Sequence, residues 1–259
     1  MFNQKKKMNM GLEEGRQPIF GNLSFAASEA YKLLRTNLDF SLPASEKGKV
    51  IGVTSSISGE GKSTTAINIA YTYAQTGKKV LLLEGDMRLP TIAKRVKTPV
   101  KKGLSNLLAG QCEYRDVLQK YSSAGNLWMI TAGDIPPNPA ELLGSGRMSA
   151  FLQAFADSFD VVIVDLPPVG VVSDALIVSK FLDGMILVVR QDFVETDDLD
   201  ETIRQLKFAG AKILGFVQTG ATTQQKNYKR KRYGHSYGYG GGYGYEYGYG
   251  HSGDYSQGK

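Results

Sequence analysis

The 259-residue sequence is poor in reactive and metal-binding side chains, with one cysteine and two histidines, and it has one tryptophan and no long apolar run. Cys112 has no second thiol to pair with, and His235 and His251 both lie near the C-terminus, so a disulfide scaffold and a Cys/His zinc site are excluded. The longest aliphatic stretch, Met185 to Val189, spans five residues, whereas a bilayer-spanning helix needs about 20. Lys5 to Lys7 are followed by Asn9, Glu13, Glu14 and Arg16 where a signal peptide would carry its apolar segment, so export by that route is not expected.

A charge bias is missing from the body of the chain as well. The formal charge is +6, yet residues 18–221 hold 21 basic and 21 acidic residues. The excess sits at the ends, four basic against two acidic over residues 1–17 and six against two over residues 222–259. A balanced body with basic ends argues against a specific nucleic-acid face and for arms near something anionic. The run Lys229-Arg230-Lys231-Arg232 is read as loose attraction to anionic lipid or to an acidic activator segment.

Residues 222–259 contain no Val, Ile, Leu, Met, Phe or Trp, but ten glycines and nine tyrosines. Such a segment cannot bury enough apolar surface to offset its ordering entropy, so a disordered tail is expected there and a flexible arm over residues 1–23. Between them, residues 24–221 alternate short apolar runs with helical patterns. Val50–Ser55, Lys79–Glu84, Leu127–Thr131, Asp160–Asp165, Met185–Arg190 and Ile213–Gln218 read as strands, several apolar on both faces. Helices are expected over Ser24–Phe40, Thr64–Gln75, Arg147–Ser158, Asp174–Leu182 and Thr196–Ala209. The pattern is that of an α/β fold, a doubly wound, mostly parallel sheet with its ligand at the carboxyl ends of the strands.

The first strand runs into Ser56-Ile57-Ser58-Gly59-Glu60-Gly61-Lys62-Ser63-Thr64 and then a helix. This is a P-loop with serine in the first glycine's place, and Ser58 to Thr64 are the candidate ATP-binding residues. In it, Gly59 and Gly61 let amides turn towards phosphate, Lys62 reaches the terminal phosphates, and the Ser63 hydroxyl takes Mg²⁺. The next strand ends in Glu84-Gly85-Asp86-Met87-Arg88, two carboxylates that call for a cation. A third strand ends in Asp165-Leu166-Pro167-Pro168, the usual place of a second magnesium carboxylate. Lys62, Glu84, Asp86, Arg88 and Asp165 are the candidate catalytic residues.

Together with Pro136-Pro137-Asn138-Pro139-Ala140-Glu141-Leu142-Leu143, the helix Ser28 to Asn37 and the tyrosine-rich tail, these motifs resemble the bacterial tyrosine kinases, specifically the cytoplasmic kinase subunit of the split Gram-positive arrangement. The resemblance runs from about Ser28 to Gly220, and it implies that Ser63, Asp86 and Asp165 hold Mg²⁺, that Lys62 neutralises charge on the transferred phosphoryl, and that Glu84 contacts the metal or the incoming tyrosine hydroxyl. It implies an ATP- and Mg²⁺-dependent kinase that phosphorylates tail tyrosines of its neighbours in a homo-oligomeric ring, with Tyr233, Tyr237, Tyr239, Tyr243, Tyr245, Tyr247, Tyr249 and Tyr255 as acceptors. It also implies a membrane-anchored activator that recruits the protein to the inner face of the membrane, a cognate phosphotyrosine phosphatase, and control of capsular or extracellular polysaccharide synthesis. The ring would form through helix 24–40 with Glu29, Lys32 and Arg35.

Three departures from the family pattern stand out. Glu84 replaces the family's aspartate and moves the carboxylate by about one C–C bond, roughly 1.5 Å, where a 1 Å error can cost about a hundredfold in rate. Glu84→Asp is accordingly expected to raise the kinase rate. Lys32 replaces an arginine and cannot make a forked contact to carboxylate, so a weaker or differently sized ring is expected. Ser56 for glycine matters least. Among other readings, a ParA/MinD-like positioning ATPase would carry a signature lysine where Ile57 stands, and a tail-based adhesive or RNA-associated protein leaves the P-loop unexplained. Absence of H-R-D and D-F-G excludes a eukaryotic-type kinase.

Overall fold

The computed structural model describes residues 23–42, 45–99, 102–121 and 125–221. Seven strands form one sheet: β1 (Lys49–Ser55), β2 (Val80–Glu84), β3 (Gln119–Tyr121), β4 (Leu127–Ile130), β5 (Val161–Asp165), β6 (Gly184–Arg190) and β7 (Ile213–Thr219), in the order β3-β4-β2-β5-β1-β6-β7. All neighbours are parallel except the β3/β4 pair at one edge. The helices are α1 (Phe25–Ser41), α2 (Lys62–Ala74), α3 (Ile92–Arg95), α4 (Leu104–Leu108), α5 (Tyr114–Val117), α6 (Pro139–Leu143), α7 (Gly146–Ser158), α8 (Asp174–Ser179) and α9 (Thr196–Phe208).

Alternation along each central strand splits it between two cores, because successive side chains point to opposite faces. Val50, Leu81, Leu83, Val162, Val164, Met185 and Leu187 pack on one face with α4 to α9. Ile51, Val53, Val80, Leu82, Val161, Ile163, Ile186 and Val188 pack on the other with α1, α2 and Ile92. Burying one such side chain stabilises the fold by about 1.5–3 kcal/mol, and this double burial is why the strands are apolar throughout.

The observed strands and long helices lie within a few residues of those expected from the sequence. Two differences have local causes. The 62–74 helix starts two residues early because Gly61, in the left-handed region at φ 95°, caps it directly. The expected Asp174–Leu182 helix stops at Ser179, where Phe181 and Leu182 close tighter turns onto Val178 and Ser179 and so bring the Asp183 carboxylate 2.7 Å from the Val50 amide.

Helix α1 is capped by Ser24, whose hydroxyl accepts the Ala27 amide at 3.2 Å. Its inner side packs on α2: Leu38 is buried, Arg35 donates to the Thr72 carbonyl at 3.1 Å, and the Tyr73 hydroxyl donates to Asp39 at 3.1 Å. Arg35, expected at a subunit contact, is thus engaged within its own protomer. Glu29 and Lys32 pair with each other at 2.7 Å on the exposed side. That side also carries Phe25, Leu33 and Phe40, exposed by 83%, 63% and 85%.

Candidate active site

Strand β1 delivers the P-loop at its carboxyl end, and α2 begins at Lys62. Gly59 and Gly61 adopt φ of 92° and 95°, where a side chain would be strained. No side chain caps α2, so its first amides and the positive end of its dipole suit an anion. Ser58 and Gly59 stand exposed at the rim, while Ser63 and Thr64 are buried. Glu60 faces inward instead: its carboxylate accepts the amides of Ile57 at 2.9 Å and Arg190 at 3.2 Å, and its carbonyl accepts the Thr219 hydroxyl at 2.6 Å. Glu60 therefore shapes the loop and ties it to the ends of β6 and β7, with only its backbone left to face a ligand.

Three charged side chains converge beside the loop. The Lys62 ammonium donates to Asp86 at 2.6 Å, lies 3.7 Å from Asp165, and is 3.4 Å from the Ser63 hydroxyl. Burial alone would lower the lysine's pKa, but Asp165 and Asp86 outweigh it and hold the ammonium charged above its ordinary range. Asp86 is oriented by the Leu89 amide, which donates to its other oxygen at 3.0 Å. Asp165 is fully buried, and neither of its oxygens has a hydrogen-bond partner. Burial raises its pKa, and Lys62 pulls it back in part. Gly85 is required between the two acids of β2, since a Cβ there would sit 3.0 Å from the Asp165 carbonyl, which accepts the Gly85 amide at 2.8 Å.

Two of the candidate catalytic residues are placed elsewhere. Glu84, opposite Asp165 in the β2/β5 register, is buried with Oε1 accepting the Thr91 and Ile92 amides at 2.6 Å each and Oε2 accepting the Ala132 amide at 3.0 Å. Three of its roughly four acceptor positions are taken by backbone amides, so the carboxylate is committed to the backbone rather than turned to the expected contact with metal or tyrosine. Burial raises its pKa, and the amides of Ile92 and Ala132 oppose that. Arg88 forms a two-pronged pair with the buried Asp174, at 2.9 and 3.0 Å, which anchors the loop after β2 to the start of α8. Arg88 is 40% exposed on its side chain, so its value as an isolated ion pair is small; its geometry is what it contributes.

Sequence reasoning missed Arg95 and Asp174. Arg95 donates to the Thr64 hydroxyl at 2.9 Å and to the Thr91 hydroxyl at 3.3 Å, so α3, whose start Glu84 holds, braces the first turn of α2. No motif announces either residue, because both contacts join segments far apart in the chain. The expected acceptor tyrosines, Tyr233 to Tyr255, lie outside the described residues.

The residues suit a nucleotide with a divalent cation. Asp165 offers two buried oxygens without a donor, Asp86 and the Ser63 hydroxyl stand next to it, and uncapped amides flank them. Among the described residues no group of three His, Cys, Asp or Glu forms a metal cluster. That fits Mg²⁺, which takes one or two carboxylates and keeps phosphate and water oxygens.

A family described as "AAA domain" matches residues 48–211. "Tyrosine-protein kinase YwqD" of Bacillus subtilis is 36% identical over 208 residues, covering 80% of this chain and 85% of that protein. The kinase domain of Escherichia coli tyrosine kinase ETK superposes with a TM-score of 0.72 at 33% identity, over 82% of this chain and 80% of that one. The cell division ATPase MinD of Pyrococcus furiosus aligns at a TM-score of 0.56 and 24% identity, a likeness of fold alone. The motif set at the strand ends and the relatives agree, and the chain belongs to the bacterial tyrosine kinases, enzymes of phosphoryl transfer to tyrosine.

Proposed function

We propose that this kinase uses Mg-ATP to phosphorylate its C-terminal tyrosine cluster in trans within a homo-oligomeric ring, and that the cycle regulates capsular or extracellular polysaccharide synthesis. The observation that carries the reading is Asp165, a fully buried carboxylate with no hydrogen-bond partner, set 3.7 Å from Lys62. A fully buried carboxylate whose one ion-pair partner stands 3.7 Å away and is shared with Asp86 remains costly until a further cation completes its surroundings. When bound, Mg-ATP supplies that cation and the transferred phosphoryl group. Ser63, Asp86 and Asp165 hold the metal, the α2 amides and Ser58 to Thr64 hold the phosphates, and the Lys62 ammonium offsets charge on the phosphoryl oxygens.

Nine of the fourteen tyrosines fall within residues 222–259, among small and polar neighbours, and eight of them, from Tyr233 to Tyr255, are the acceptors. That segment has a formal charge of +4. Each phosphate adds about −1.5 to −2, so a few reverse its sign, make neighbouring tails repel and release the ring until a phosphatase resets it. The exposed Phe25, Leu33 and Phe40 beside Glu29 and Lys32 support α1 as a subunit contact. A membrane-anchored activator would bring the kinase to the inner face of the membrane.

The test mixes Lys62→Met protein carrying its own tail with active protein whose tail tyrosines are replaced by phenylalanine, then maps phosphate by mass spectrometry. Labelling of the inactive partner's tail is expected. If that tail stays unlabelled while wild-type protein labels itself at a rate independent of concentration, transfer is within one chain and the ring mechanism fails.

A further inference from the structure

At the amino ends of β2 and β5, across the sheet from the P-loop, lies a cavity of about 410 Å³ whose walls include Tyr114, Trp128, Phe151, Phe155 and Phe159 with Lys79 at its rim. The three phenylalanines recur every fourth residue along α7 and pack as a ladder, Phe151 on Phe155 at 6.1 Å and Phe155 on Phe159 at 6.4 Å between ring centroids. Strand register sets the opposite wall. Leu81, Trp128 and Lys120 stand in one row across β2, β4 and β3, and Lys79, two residues before Leu81, shares their face.

Three of the lining rings each carry a cation. The Lys79 ammonium lies 4.8 Å from the Phe159 centroid, Lys120 lies 5.6 Å from that of Trp128, and the Arg115 guanidinium lies 5.7 Å from that of Tyr114. None of the three forms an ion pair within 4.0 Å among the described residues. The nearby Asp160 carboxylate is held by the backbone amide of Lys79, at 2.6 Å. An aromatic cavity ringed by unpaired cations is complementary to a ligand that is at once a flat ring and a compact polyanion. A bare tyrosine would satisfy the rings and leave the cations alone. Inorganic phosphate would do the reverse.

We propose that this cavity docks a phosphotyrosine side chain from the C-terminal segment of a second copy. The proposal rests on the reading of that segment as the kinase's substrate. Charge provides the discrimination: the unmodified segment, at +4, is repelled by Lys79, Arg115 and Lys120, whereas a phosphate of about −1.5 to −2 is drawn to them. A phosphorylated tail that charge repulsion has released from the ring contact would then be held at the end of the domain away from the nucleotide, which clears the active site for the next tyrosine.

Trp128 is the sole tryptophan of the chain, so its fluorescence reports the cavity directly. The experiment titrates full-length protein with a synthetic peptide of residues 229–245, which keeps the four basic residues 229–232 and so a formal charge of +4, carrying phosphate on Tyr243, and separately with the unmodified peptide, with inorganic phosphate and with anionic lipid vesicles. Expected are a saturable change with the phosphopeptide, none with the other three probes at equal concentration, and a loss of about tenfold in affinity in Lys79→Gln/Lys120→Gln. Both lysines are exposed and far from the P-loop in the fold, so the variant should label its own tyrosines at the wild-type initial rate. Equal response to both peptides, a response to phosphate or vesicles that matches the phosphopeptide's, or an undiminished affinity in the double variant overturns the proposal, as does a flat phosphopeptide titration. Because the peptide is phosphorylated by synthesis, the binding result stands apart from whether the tail proves to be the kinase's substrate.

Discussion

Glu84 and Asp165 face each other across the β2/β5 ladder, each the last residue of its strand, and both are buried. Their surroundings are opposite. Three backbone amides converge on Glu84, while Asp165 accepts no well-formed hydrogen bond and has the Lys62 ammonium 3.7 Å away with the Ser63 hydroxyl nearby. The fold has satisfied one carboxylate and withheld partners from the other, though desolvation raises the pKa of each. The contrast separates two jobs that the motif alone runs together. A saturated carboxylate holds loops in place; an unsatisfied one at the same depth is set to receive something from outside.

The side chain that mediates between the platform and the P-loop is Lys62, and its removal gives the largest effect. Lys62→Met leaves Asp86 and Asp165 without their ammonium and the phosphoryl oxygens without their nearest cation. Tyrosine phosphorylation should fall by roughly 10² to 10³ in rate, the scale of a lost electrostatic stabiliser. A phosphorylation rate within a few-fold of wild type would remove Lys62 from the chemistry.

Next comes Glu84→Asp, where the structure reverses the expectation from the sequence. An aspartate is one methylene too short to span from β2 to the amides of Thr91, Ile92 and Ala132 together. A buried amide left unmet costs about 1–3 kcal/mol, and for a domain of this size each kcal/mol lowers the melting temperature by roughly 2–4 °C. The variant should melt lower, and its Thr91, Ile92 and Ala132 amides should exchange faster with deuterium. The kinase rate should drop as well, since α3 would no longer hold Arg95 against Thr64. A faster, equally stable kinase would show that the amides tolerate the shorter reach.

Asp165→Asn sharpens the comparison from the other side. It should abolish kinase activity yet lower the melting temperature in EDTA less than Glu84→Asp does, because Lys62 keeps Asp86 at 2.6 Å and the charge removed is itself desolvated. The pH dependence follows in sign. A carboxyl with a raised folded pKa binds its proton more tightly in the fold, so its ionisation lowers stability as pH climbs from its unfolded value towards the folded one. Over that window the asparagine variant should gain on wild type. A drop in melting temperature comparable to that of Glu84→Asp would mean that Asp165 is structural too.

This pair also marks where the sequence stops being informative. The central parallel strands were legible because both faces of each are apolar, and the P-loop because its glycines and lysine sit between a strand and a helix. Strand β3 was not: three residues, Gln119 to Tyr121, pair antiparallel at the sheet edge with Lys120 exposed, too short and too polar for any period to show. The acids of β2 were legible as a pair, but which one faces Lys62 depends on where residues 91, 92 and 132 return to the sheet. Arg88 was read as catalytic for the same reason; its partner Asp174 arrives from 86 residues away.

Helix α1 offers the same contrast at the surface, where the expected effects are smallest. Arg35 is matched inside its own protomer by the Thr72 carbonyl, whereas Glu29 and Lys32 have only each other, beside exposed Phe25, Leu33 and Phe40. An exposed helical ion pair is worth about 0.2–0.5 kcal/mol, so Lys32→Ala should barely move the melting temperature, and Leu33→Glu, at a site 63% exposed, should not either. Arg35→Ala should lower it measurably, since a partly buried carbonyl loses a charged donor. If the outer side of α1 is where copies meet, the order inverts in sedimentation experiments: Leu33→Glu and Lys32→Ala reduce the assembled mass at a concentration where Arg35→Ala, whose side chain is turned inward, affects it through folding alone. An assembled mass unaffected by both outer substitutions would move the subunit contact off this face, and the apolar stripe along α1 would need another partner.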